Sequence, residues 1–386
     1  MKIVEAISDT NIGGAGVLLL NRLCAQPDYK KNTVVLIPKN SQLAELLKKN
    51  NINVAELTLN GNKSFNLNDC IKIYCFLRKN PTDLINTHGF LSARFAAFFC
   101  NVPVKICTRH CVFKTPKKYK IYPIRKALGT INSILSNRFI AVAYSARDNL
   151  EELGVKKEKI SVIINGSKKL KRLTNKEKSN VRKKYNIKAN DFVIGIFARL
   201  ESYKGHDTLI RAAKIITQKN KNFIFLVVGE GSEKNKLLNM VKRHGVADKF
   251  IFTGHINDIT PLMNITDINV NCSRGTETSS LALSEGMSIG KPCIVSDWGG
   301  NPYMVNNKIN GLIYKTDNYR ELSKCILMLY KNKKLYSKLS DGAYERYKRE
   351  LNIENSSKKT YRLYESLYAK KSKSQNRCGD CKIDYK

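Results

Sequence analysis

Two glutamates and two basic residues in the second half of the chain have the types and spacing of a ligand site. Glu277 and Glu285 flank a hydroxyl-rich turn that runs into a predicted helix, SRGTETSSLALSEG. If most of this segment is helical, the eight positions between the carboxylates rise ~12 Å, which suits the two ends of an elongated ligand. Arg199 and Lys204, in FARLESYKGH, are cations suited to holding a diphosphate. The alternative is that all four are ordinary surface charges in a lysine-rich chain.

Backbone groups near these side chains are also suited to anion binding. Ser279 or Ser280 is predicted to cap the helix that contains Glu285, which leaves N–H groups that can bind phosphate. In SDTNIGGAGVLLLNRL, a glycine loop follows the first predicted strand and precedes a helix, so it offers the same kind of site. This loop lacks the G-x-G-x-x-G spacing of dinucleotide-binding proteins, and its glycines can equally be structural. They are Gly13, Gly14 and Gly16.

The elements that must position these residues form two similar halves. Short β-branched runs alternate with helical patterns through roughly the first 165 residues, and the alternation starts again at Phe192. We therefore predict an α/β fold with two facing Rossmann-like domains, a cleft between them and a C-terminal helical segment. Ligands of such sheets bind beyond the carboxyl ends of the strands. The predicted parts are an N-terminal domain (1–168), a basic linker (169–190), a C-terminal domain (191–345), a helix that packs back on the N-terminal domain (346–370) and a mobile tail (371–386).

Charge and composition limit the classes of function. The formal net charge of +36 calls for an anionic partner, and phosphorylated substrates, anionic lipids and nucleic acid all qualify. Because the charge is spread along the chain and no nucleic-acid-binding module is recognisable, we expect no nucleic acid, although a basic nucleic-acid-binding protein remains the alternative of another class. The opening MKIVEAISDT lacks the pattern of a signal peptide, and no apolar run is long enough to span a membrane. These features favour a cytoplasmic protein.

Cysteine usage gives no indication of a metal site. The 11 cysteines are scattered and are expected to be reduced thiols. Only Cys378 and Cys381, in CGDC, have the spacing of metal ligands, and they form a single pair with no histidine nearby. We therefore expect no bound metal.

Several of these motifs, taken in order, resemble one enzyme family. The two glutamates together with FARLESYKGHDTLIRA, VVGEG and IGKPCIVSDWGGNP resemble the retaining GT-B glycosyltransferases of family 4, the group 1 glycosyl transferases. The resemblance spans the second half nearly end to end and the first half mainly at its glycine loop. It implies transfer of a hexose or N-acetylhexosamine from a nucleotide-diphosphate sugar, with uridine the more common base and guanosine the alternative. The nucleotide sugar is a substrate, and no cofactor is implied.

The resemblance also implies roles for the donor-side residues. Arg199 and Lys204 would bind the diphosphate and stabilise the charge that grows as it leaves. Glu285 would accept hydrogen bonds from the ribose hydroxyls, and Glu277 would face the transferred sugar. Two departures leave the donor sugar open, because Thr278-Ser279-Ser280 replaces the common Pro-Phe-Gly and Tyr303 stands where a glutamate is frequent. The phosphate cradle would be completed by the backbone of Gly13, Gly14, Gly16, Ser279, Ser280 and Leu281.

Three further residues of the first half take their expected roles from the resemblance. His110 follows a strand where many family members carry a histidine near the reacting sugar, and it can equally be a structural histidine. His88, in INTHGF, is expected on the acceptor side. Asn165 is similar to the asparagine of an Asn-Gly pair at the domain junction, where a turn and a donor contact are both possible.

A basic and aromatic segment after His110 suits contact with an anionic membrane. In KTPKKYKIYPIRKALG, basic residues near an anionic leaflet contribute ~1 kcal/mol each. We expect peripheral binding to the inner face of the plasma membrane, where a lipid-linked or oligosaccharide acceptor would be presented, and the alternative is a solvated loop. A sugar-nucleotide epimerase or phosphorylase of similar architecture is the alternative enzyme. The candidate contacts are Lys117, Lys118, Tyr119, Lys120, Tyr122, Arg125 and Lys126, with Lys114 just before them.

Overall fold

A computed structural model of the chain describes residues 1–112, 115–219 and 222–379, except for the side chains of 219 and 373–379. Lys114 and the CGDC segment with Cys378 and Cys381 lie outside the described side chains. The described chain divides into two compact units. Unit 1 is Met1–Gly166 with the chain from Ile353 onward, and unit 2 is Ser167–Asn352.

Unit 1 contains seven strands that all pair in parallel. They are β1 (Ile3–Ile7), β2 (Thr33–Pro38), β3 (Asn53–Leu57), β4 (Leu84–His88), β5 (Val104–Arg109), β6 (Arg138–Ala141) and β7 (Ile160–Val162). Their order in the sheet is β3-β2-β1-β4-β5-β6-β7. Strands β1 to β3 extend the sheet in one direction, and β4 to β7 extend it in the other. The carboxyl ends of β1 and β4 therefore flank the switch point of the sheet.

Helices cover both faces of this sheet. Leu36 of β2 packs in one apolar cluster, whereas its neighbours Val35 and Ile37 pack in another. Because successive strand residues point to opposite faces, the two clusters lie on opposite sides of the sheet. The helices are α1 (Gly14–Cys24), α2 (Pro27–Lys31), α3 (Gln42–Lys49), α4 (Leu67–Lys79), α5 (Leu91–Phe99), α6 (Tyr122–Leu135) and α7 (Tyr144–Glu152), with 3-10 turns at Lys117–Lys120 and Lys157–Lys159.

Unit 2 contains six strands, again all parallel. They are β8 (Phe192–Phe197), β9 (Phe223–Val228), β10 (Phe250–Gly254), β11 (Ile268–Asn271), β12 (Cys293–Ser296) and β13 (Gly311–Tyr314). The order is β10-β9-β8-β11-β12-β13, so the switch point lies between β8 and β11. All six residues of β9 are buried, as expected for a central strand covered on both faces.

The helices of unit 2 begin at polar caps more often than those of unit 1. Thr174 and Glu177 form a reciprocal capping box at the first of them, and Asn318 and Asn332 each accept a bond from a first-turn N–H. The helices are α8 (Asn175–Lys184), α9 (His206–Lys219), α10 (Lys234–Arg243), α11 (Thr260–Ile265), α12 (Leu281–Ser288), α13 (Asn301–Met304), α14 (Tyr319–Lys331) and α15 (Lys333–Arg346). The 3-10 turns are Ser202–Lys204 and Ala247–Lys249, and Tyr347–Leu351 is a turn of π-helix.

After unit 2 the chain returns to unit 1 as one long helix, α16 (Ile353–Gly379). Tyr361 and Tyr364 of this helix are buried in an apolar cluster with β1, β4 and β5. Tyr361 also stacks on Tyr29, with 3.8 Å between ring centroids. The C-terminal helix is therefore part of the core of unit 1.

The structure confirms two Rossmann-like α/β domains and places their boundaries differently from the sequence. Residues 169–190, predicted as a linker, lie within unit 2, where the backbone N–H of Leu173 donates to Asn264. Basic, polar composition is typical of linkers, but here it reflects the exposed face of α8. Helix α16 begins at Ile353 rather than near 346. Among the described residues, no helix is both long and apolar enough to span a bilayer.

Candidate active site

The candidate site of unit 2 lies where strands β8 and β11 end side by side. Arg199 and Lys204 follow β8, and the turn that carries Glu277 follows β11. Because these strands flank the switch point of the sheet, their following loops border the crevice where ligands of open α/β sheets bind. A small cavity at this place is lined by Lys204, Asn271, Ser280 and Leu283, among others. The sheet thus brings together residues that are distant in sequence.

Glu277 and Lys204 form a nearly buried ion pair. Lys204 Nζ lies 2.7 Å from Glu277 Oε2, and their side chains are only 16% and 8% exposed. The same oxygen accepts hydrogen bonds from Ser273 Oγ at 2.9 Å and Asn271 Nδ2 at 3.2 Å. Burial alone would raise the pKa of Glu277, but the charge of Lys204 and the three hydrogen bonds outweigh it and lower the pKa. Glu277 is therefore a fixed carboxylate that is held through Oε2. Its other oxygen, Oε1, takes no part in these contacts.

Two glycines allow the loops to approach closely enough to make this pair. Gly205 has φ +69°, and a Cβ there would lie 2.1 Å from the carbonyl oxygen of Cys272. A Cβ on Gly300 would lie 1.5 Å from the carbonyl oxygen of Thr278, and the Gly300 N–H donates to the Glu277 carbonyl at 3.1 Å. The GG of SDWGGNP therefore packs against the backbone of Glu277 and Thr278, and no residue with a side chain fits at Gly300.

Arg199 is exposed and oriented by its own loop. Its Nη2 donates to the Tyr203 hydroxyl at 2.8 Å. The other arginine of the site, Arg274, makes ion pairs with Asp207 at 2.5 Å and Asp317 at 2.8 Å. Asp207 lies in the first turn of α9. Of these two arginines, Arg199 is the one that makes no ion pair with a described carboxylate. This environment fits a cation that binds an anionic ligand.

The start of α12 provides a second set of anion-binding groups. Ser280 is the N-cap, and its Oγ accepts from the N–H of Leu283 at 3.4 Å. Ser279 is buried, and its Oγ has no hydrogen-bond partner among the described residues. Because first-turn N–H groups of a helix have no intrahelical acceptor, this end of α12 can bind phosphate oxygens through Leu281 and its neighbours.

Glu285 lies in the second turn of α12, and its environment is the opposite of that of Glu277. It is half-buried, and no described side chain or N–H donates to its carboxylate or pairs with it. Burial raises the pKa of Glu285 to about 7. A carboxylate in this state is ready to accept hydrogen bonds from hydroxyl donors of a ligand, since ionisation becomes easier once they are made.

The glycine loop of unit 1 has two different kinds of glycine. Gly13 is the N-cap of α1, and nothing lies within 4 Å of a Cβ built on Gly14. A Cβ on Gly16 would instead lie 2.7 Å from a methyl of Leu43. Gly16 is therefore a packing residue between α1 and α3, whereas Gly14 leaves open space at the helix start.

The histidines of unit 1 belong to one buried hydrogen-bonded chain. His88 Nε2 lies 2.8 Å from Glu5 Oε2, and His88 Nδ1 lies 2.7 Å from His110 Nε2. Burial, aided by the nearby His88 and Arg22, keeps the pKa of His110 well below its ordinary value, so this ring is neutral near pH 7. The two candidate histidines, predicted with separate roles, are thus in direct contact.

Asn165 is buried at the end of the unit. It lines a small cavity with Arg22, Thr108, Ser356 and Thr360.

Within the described residues, no three His, Cys, Asp or Glu side chains are grouped so that they could hold a metal ion.

Two family models match the chain, and together they span most of it. The model described as Glycosyltransferase Family 4 matches residues 12–167, and the model described as Glycosyl transferases group 1 matches residues 177–346. The chain belongs to the group 1 glycosyl transferases of family 4. Each match falls almost entirely within one structural unit.

Curated relatives of this family 4 chain have glycosyltransferase and synthase names. The UDP-Gal:alpha-D-GlcNAc-diphosphoundecaprenol alpha-1,3-galactosyltransferase of Escherichia coli is 29% identical over 257 residues, which cover 64% of this chain and 66% of the relative. The N-acetyl-alpha-D-glucosaminyl L-malate synthase of Bacillus anthracis is 24% identical over 50% of this chain and 49% of the relative. The chain therefore matches less than two thirds of the length of either.

Solved structures show the same fold as this family 4 chain. HepE of Anabaena, solved in complex with UDP, superposes with a TM-score of 0.83 at 20% identity, over 95% of this chain and 100% of HepE. Sucrose-phosphate synthase from Thermosynechococcus elongatus gives 0.75 at 16% identity, over 96% and 100%. These matches confirm the predicted GT-B fold class.

The basic segment of this family 4 protein forms an exposed surface. Lys117, Lys118 and Lys126 are exposed, whereas Lys120 pairs with Glu152 at 2.7 Å and Arg125 donates to a backbone carbonyl. Beside them, large apolar side chains are exposed to solvent, and Tyr119 is partly buried. The exposed apolar residues are Ile121, Tyr122, Ile124, Ile131 and Ile134.

Several polar residues of both units were missed by sequence reasoning. Asn271 and Ser273 hold Glu277, and in unit 1 the pair Glu5 and Arg22 lies 2.9 Å apart with almost no exposure. Glu5 carried a usable signal, because a glutamate in the middle of the buried strand IVEAI requires a partner. Asn271 and Ser273 carried none, since short polar residues after a strand are common.

Proposed function

We propose that this chain is a retaining glycosyltransferase that moves a sugar from a UDP-sugar to a lipid-linked saccharide in surface polysaccharide or glycolipid assembly. The observation that carries the proposal is the buried Lys204–Glu277 pair at the switch point of unit 2, next to the start of α12. It combines a fixed cation, a fixed carboxylate and free helix N–H groups within one crevice, which are the groups that a sugar diphosphate requires.

The roles of the donor-side groups follow from their environments. Lys204, Arg199 and the N–H groups of Ser280 and Leu281 offset the charge that grows on the departing diphosphate. Glu285 accepts hydrogen bonds from the ribose hydroxyls. Glu277 uses Oε1 to accept from a hydroxyl of the transferred sugar, while Oε2 keeps Lys204 in place.

Retention of configuration is proposed through attack on the face from which the diphosphate leaves. Glu277 is unsuited to act as a covalent nucleophile, because its Oε2 already accepts three hydrogen bonds and its charge is neutralised by Lys204. In the front-face route a diphosphate oxygen takes the proton of the acceptor hydroxyl as the new glycosidic bond forms. The chain's task is then to hold the diphosphate and to stabilise its charge.

The UDP assignment is supported by the relatives. HepE was solved with UDP and with UDP-glucose, and the Escherichia coli relative is named for a UDP-Gal donor and a diphosphoundecaprenol acceptor. Applied to this chain, these names favour a uridine donor and an acceptor carried on a lipid diphosphate.

The proposed membrane contact is the surface of Lys117–Lys120 and α6. Three isoleucines of α6, at 124, 131 and 134, are 39%, 49% and 50% exposed and lie close to one side of the helix. Exposed lysines beside an apolar stripe suit an anionic leaflet, where the cations meet headgroups and the isoleucines enter the interface. We propose peripheral binding at the cytoplasmic face of the membrane.

The function is tested by a binding and product assay on the full chain. UDP is expected to raise the thermal midpoint and GDP to raise it less, and the shift should weaken in Glu285→Ala and Lys204→Ala. With a UDP-sugar and a lipid diphosphate saccharide, the product should be a new glycoside with the donor's anomeric configuration by NMR. An isomerised sugar nucleotide would instead identify an epimerase. Absence of any nucleotide shift together with absence of a glycoside would refute the proposal.

The membrane contact is tested by vesicle flotation. Binding to vesicles with anionic lipid is expected to exceed binding to zwitterionic vesicles. Reversing the charge of Lys117, Lys118 and Lys126 should weaken it by more than about a hundredfold, because each lysine contributes ~1 kcal/mol and each new negative charge adds repulsion. The matched control reverses three exposed lysines of α8, which changes net charge equally. Equal losses in both variants would show a general charge effect and would contradict a defined surface. The control residues are Lys176, Lys183 and Lys184.

A further inference from the structure

Unit 2 has a wide groove along the outer surface of α9, which we call the α9 groove. Its volume is about 430 Å³, within the range of small-molecule sites. The floor is one face of α9, because the lining residues of that helix are three or four positions apart. His244 at the end of α10, and Tyr319 and Arg320 at the start of α14, complete the lining. The α9 residues are Arg211, Lys214, Ile215 and Gln218.

The α9 groove has a positive charge that the surrounding protein does not neutralise. Its described lining contains three exposed cations and no carboxylate. Neither Arg211, Lys214 nor Arg320 forms an ion pair with an Asp or Glu of the described chain. Partial burial, together with the nearby charges of Lys214 and Arg211, lowers the pKa of His244. The lining therefore favours an anionic ligand.

Other exposed lysines of unit 2 have carboxylate partners. Lys234 lies 2.8 Å from Glu230, and Lys171 lies 3.3 Å from Glu177. The cations of the α9 groove share one concave surface without such partners, so they repel one another. An anion that binds among them removes this repulsion.

Arg211 also borders a second pocket, which contains three carboxylates. Each of them has a partner other than Arg211: one pairs with Arg274, one pairs with Lys236, and one accepts a hydrogen bond from Ser232. The acidic groups of the second pocket are thus satisfied within it, and the guanidinium of Arg211 is left for the groove. The carboxylates are, in the same order, Asp207, Glu233 and Glu201.

The α9 groove is separate from the candidate active site, because the sheet of unit 2 lies between α9 and α12. Ile268 and Val270 of β11 pack in the apolar cluster that contains α9, α10 and α14. Asn269, between them, points to the opposite face, where its Nδ2 donates to the carbonyl of Ala282 in α12 at 2.8 Å. A ligand in the groove is therefore not bound by the start of α12.

The uncharged residues of the lining suit a sugar. The amide of Gln218 can both donate to and accept from hydroxyl groups. Tyr319 and Ile215, both half-buried, provide apolar surface against which the C–H face of a sugar ring can pack. Arg211 and Arg320 are each able to bind a phosphate through two parallel hydrogen bonds.

We propose that the α9 groove binds a phosphorylated saccharide at a site distinct from the donor site. The inference does not depend on the proposed glycosyl transfer, because it uses none of the residues assigned to that reaction. The ligand has two possible sources, a free sugar phosphate or a phosphate-bearing residue of a glycan chain. Both present the same chemistry to the groove.

The first test is calorimetry on the full wild-type chain at low ionic strength. Glucose 6-phosphate is expected to bind about tenfold more tightly than inorganic phosphate, because the sugar adds hydrogen bonds and apolar contact. Saturating UDP should leave this affinity unchanged. Displacement by UDP would place the ligand in the donor crevice and would overturn the proposal, as would equal affinities for glucose 6-phosphate and inorganic phosphate.

A trisaccharide with one 6-phosphate distinguishes the two sources of the ligand. Tighter binding of the trisaccharide than of glucose 6-phosphate supports the site and identifies a glycan chain as the source. Weaker binding supports the site with a free sugar phosphate as its ligand. If neither compound binds, the proposal is wrong.

The second test changes the lining one residue at a time. Arg211→Gln and Arg320→Gln should each weaken glucose 6-phosphate binding about tenfold, because each removes charge-assisted hydrogen bonds to the phosphate. Gln218→Ala should weaken binding of glucose 6-phosphate and leave that of inorganic phosphate unchanged. These side chains are exposed, so the unfolding midpoints of the unliganded variants should equal that of the wild type.

Arg349→Gln is the matched control. Arg349 is an arginine of unit 2 that lies outside the groove lining, and its side chain is 69% exposed. The variant loses the same charge as Arg211→Gln, and we expect wild-type affinity for glucose 6-phosphate. An equal loss of affinity in Arg349→Gln and Arg211→Gln would show a general attraction to a basic protein and would overturn the site.

Discussion

Glu277 and Glu285 belong to one short segment of unit 2, yet their surroundings are opposite. Glu277 is paired with Lys204, accepts two more hydrogen bonds and has a lowered pKa. Glu285 has no partner among the described residues, and burial raises its pKa to about 7. The first carboxylate is satisfied by the protein itself, and the second is left for a ligand to satisfy. One part of the site is thus preformed, while the other part is completed by binding.

Breaking the preformed pair should have the largest effect. Lys204→Met leaves Glu277 buried without its cation, and we expect it to lower the free energy of unfolding by about 3–5 kcal/mol. The double variant Lys204→Met/Glu277→Gln should recover most of this stability and none of the sugar transfer. Urea unfolding and a product assay measure the two quantities.

An exposed pair in the same unit serves as the control for this prediction. Lys234 and Glu230 lie 2.8 Å apart with side chains 42% and 45% exposed. Lys234→Met should change the unfolding free energy by less than about 0.5 kcal/mol, because exposed pairs contribute little. A similar loss in both single variants would show that burial of the Lys204 pair is energetically unimportant.

Replacing Glu285, the carboxylate without a partner among the described residues, by a neutral residue should stabilise the protein in a pH-dependent way. The pKa of Glu285 is about 7 in the folded chain and near its ordinary value of 4.5 in the unfolded chain. Wild-type stability is therefore lost as pH rises from about 4.5 through 7. Glu285→Gln does not titrate, so at pH 8 it should exceed the wild type by about 1–3 kcal/mol, and the difference should shrink towards pH 5.

Denaturant unfolding at pH 5 and pH 8 measures this difference. Glu230→Gln, which changes an exposed glutamate of the same unit, is the control and should show no such trend. A Glu285 variant that is less stable than the wild type at pH 8 would mean that a partner stabilises the ionised carboxylate in solution.

The smallest expected effect is the release of a fraction of a proton when UDP binds. If ribose hydroxyls donate to Glu285, UDP binding favours its ionised form, so binding near pH 7 should release protons. Calorimetry at pH 7 in buffers of different ionisation enthalpy should detect release of up to about half a proton per UDP for the wild type, because a carboxyl with a pKa of about 7 is half protonated there. Glu285→Gln should release close to none and should bind UDP about tenfold more weakly, or by ~1.4 kcal/mol. Proton uptake by the wild type would place a different group at the ribose.

The central strands could be predicted from sequence, whereas several edge strands could not. FVIGIF, FIFLVV and IVEAI are nearly continuous apolar runs because both faces of the sheet are covered. NVAEL, ISV and GLIY form β3, β7 and β13, which lie at sheet edges. Edge strands are short and tolerate charged or polar residues, so their pattern does not stand out from loops.

Contacts between the side chains of the site could likewise not be predicted from the sequence. Residue types and strand ends indicated Lys204 and Glu277 separately, but their contact joins positions 73 residues apart and depends on the order of strands in the sheet. The link between His88 and His110 likewise required the β1-β4-β5 neighbourhood. Local sequence indicates which groups can do chemistry, and the topology decides which of them meet.

The return of α16 to unit 1 has a consequence for the order of events during synthesis. Unit 2, Ser167–Asn352, can form all its strands before the codons for α16 are read. Unit 1 has its seven strands earlier, but Glu5 lacks the Tyr364 hydroxyl and Tyr29 lacks its stacking partner until the last helix leaves the ribosome. A nascent chain that has emerged from the ribosome as far as Asn352 would therefore carry a finished second domain and an unfinished first one, the reverse of the usual N-terminal-first order.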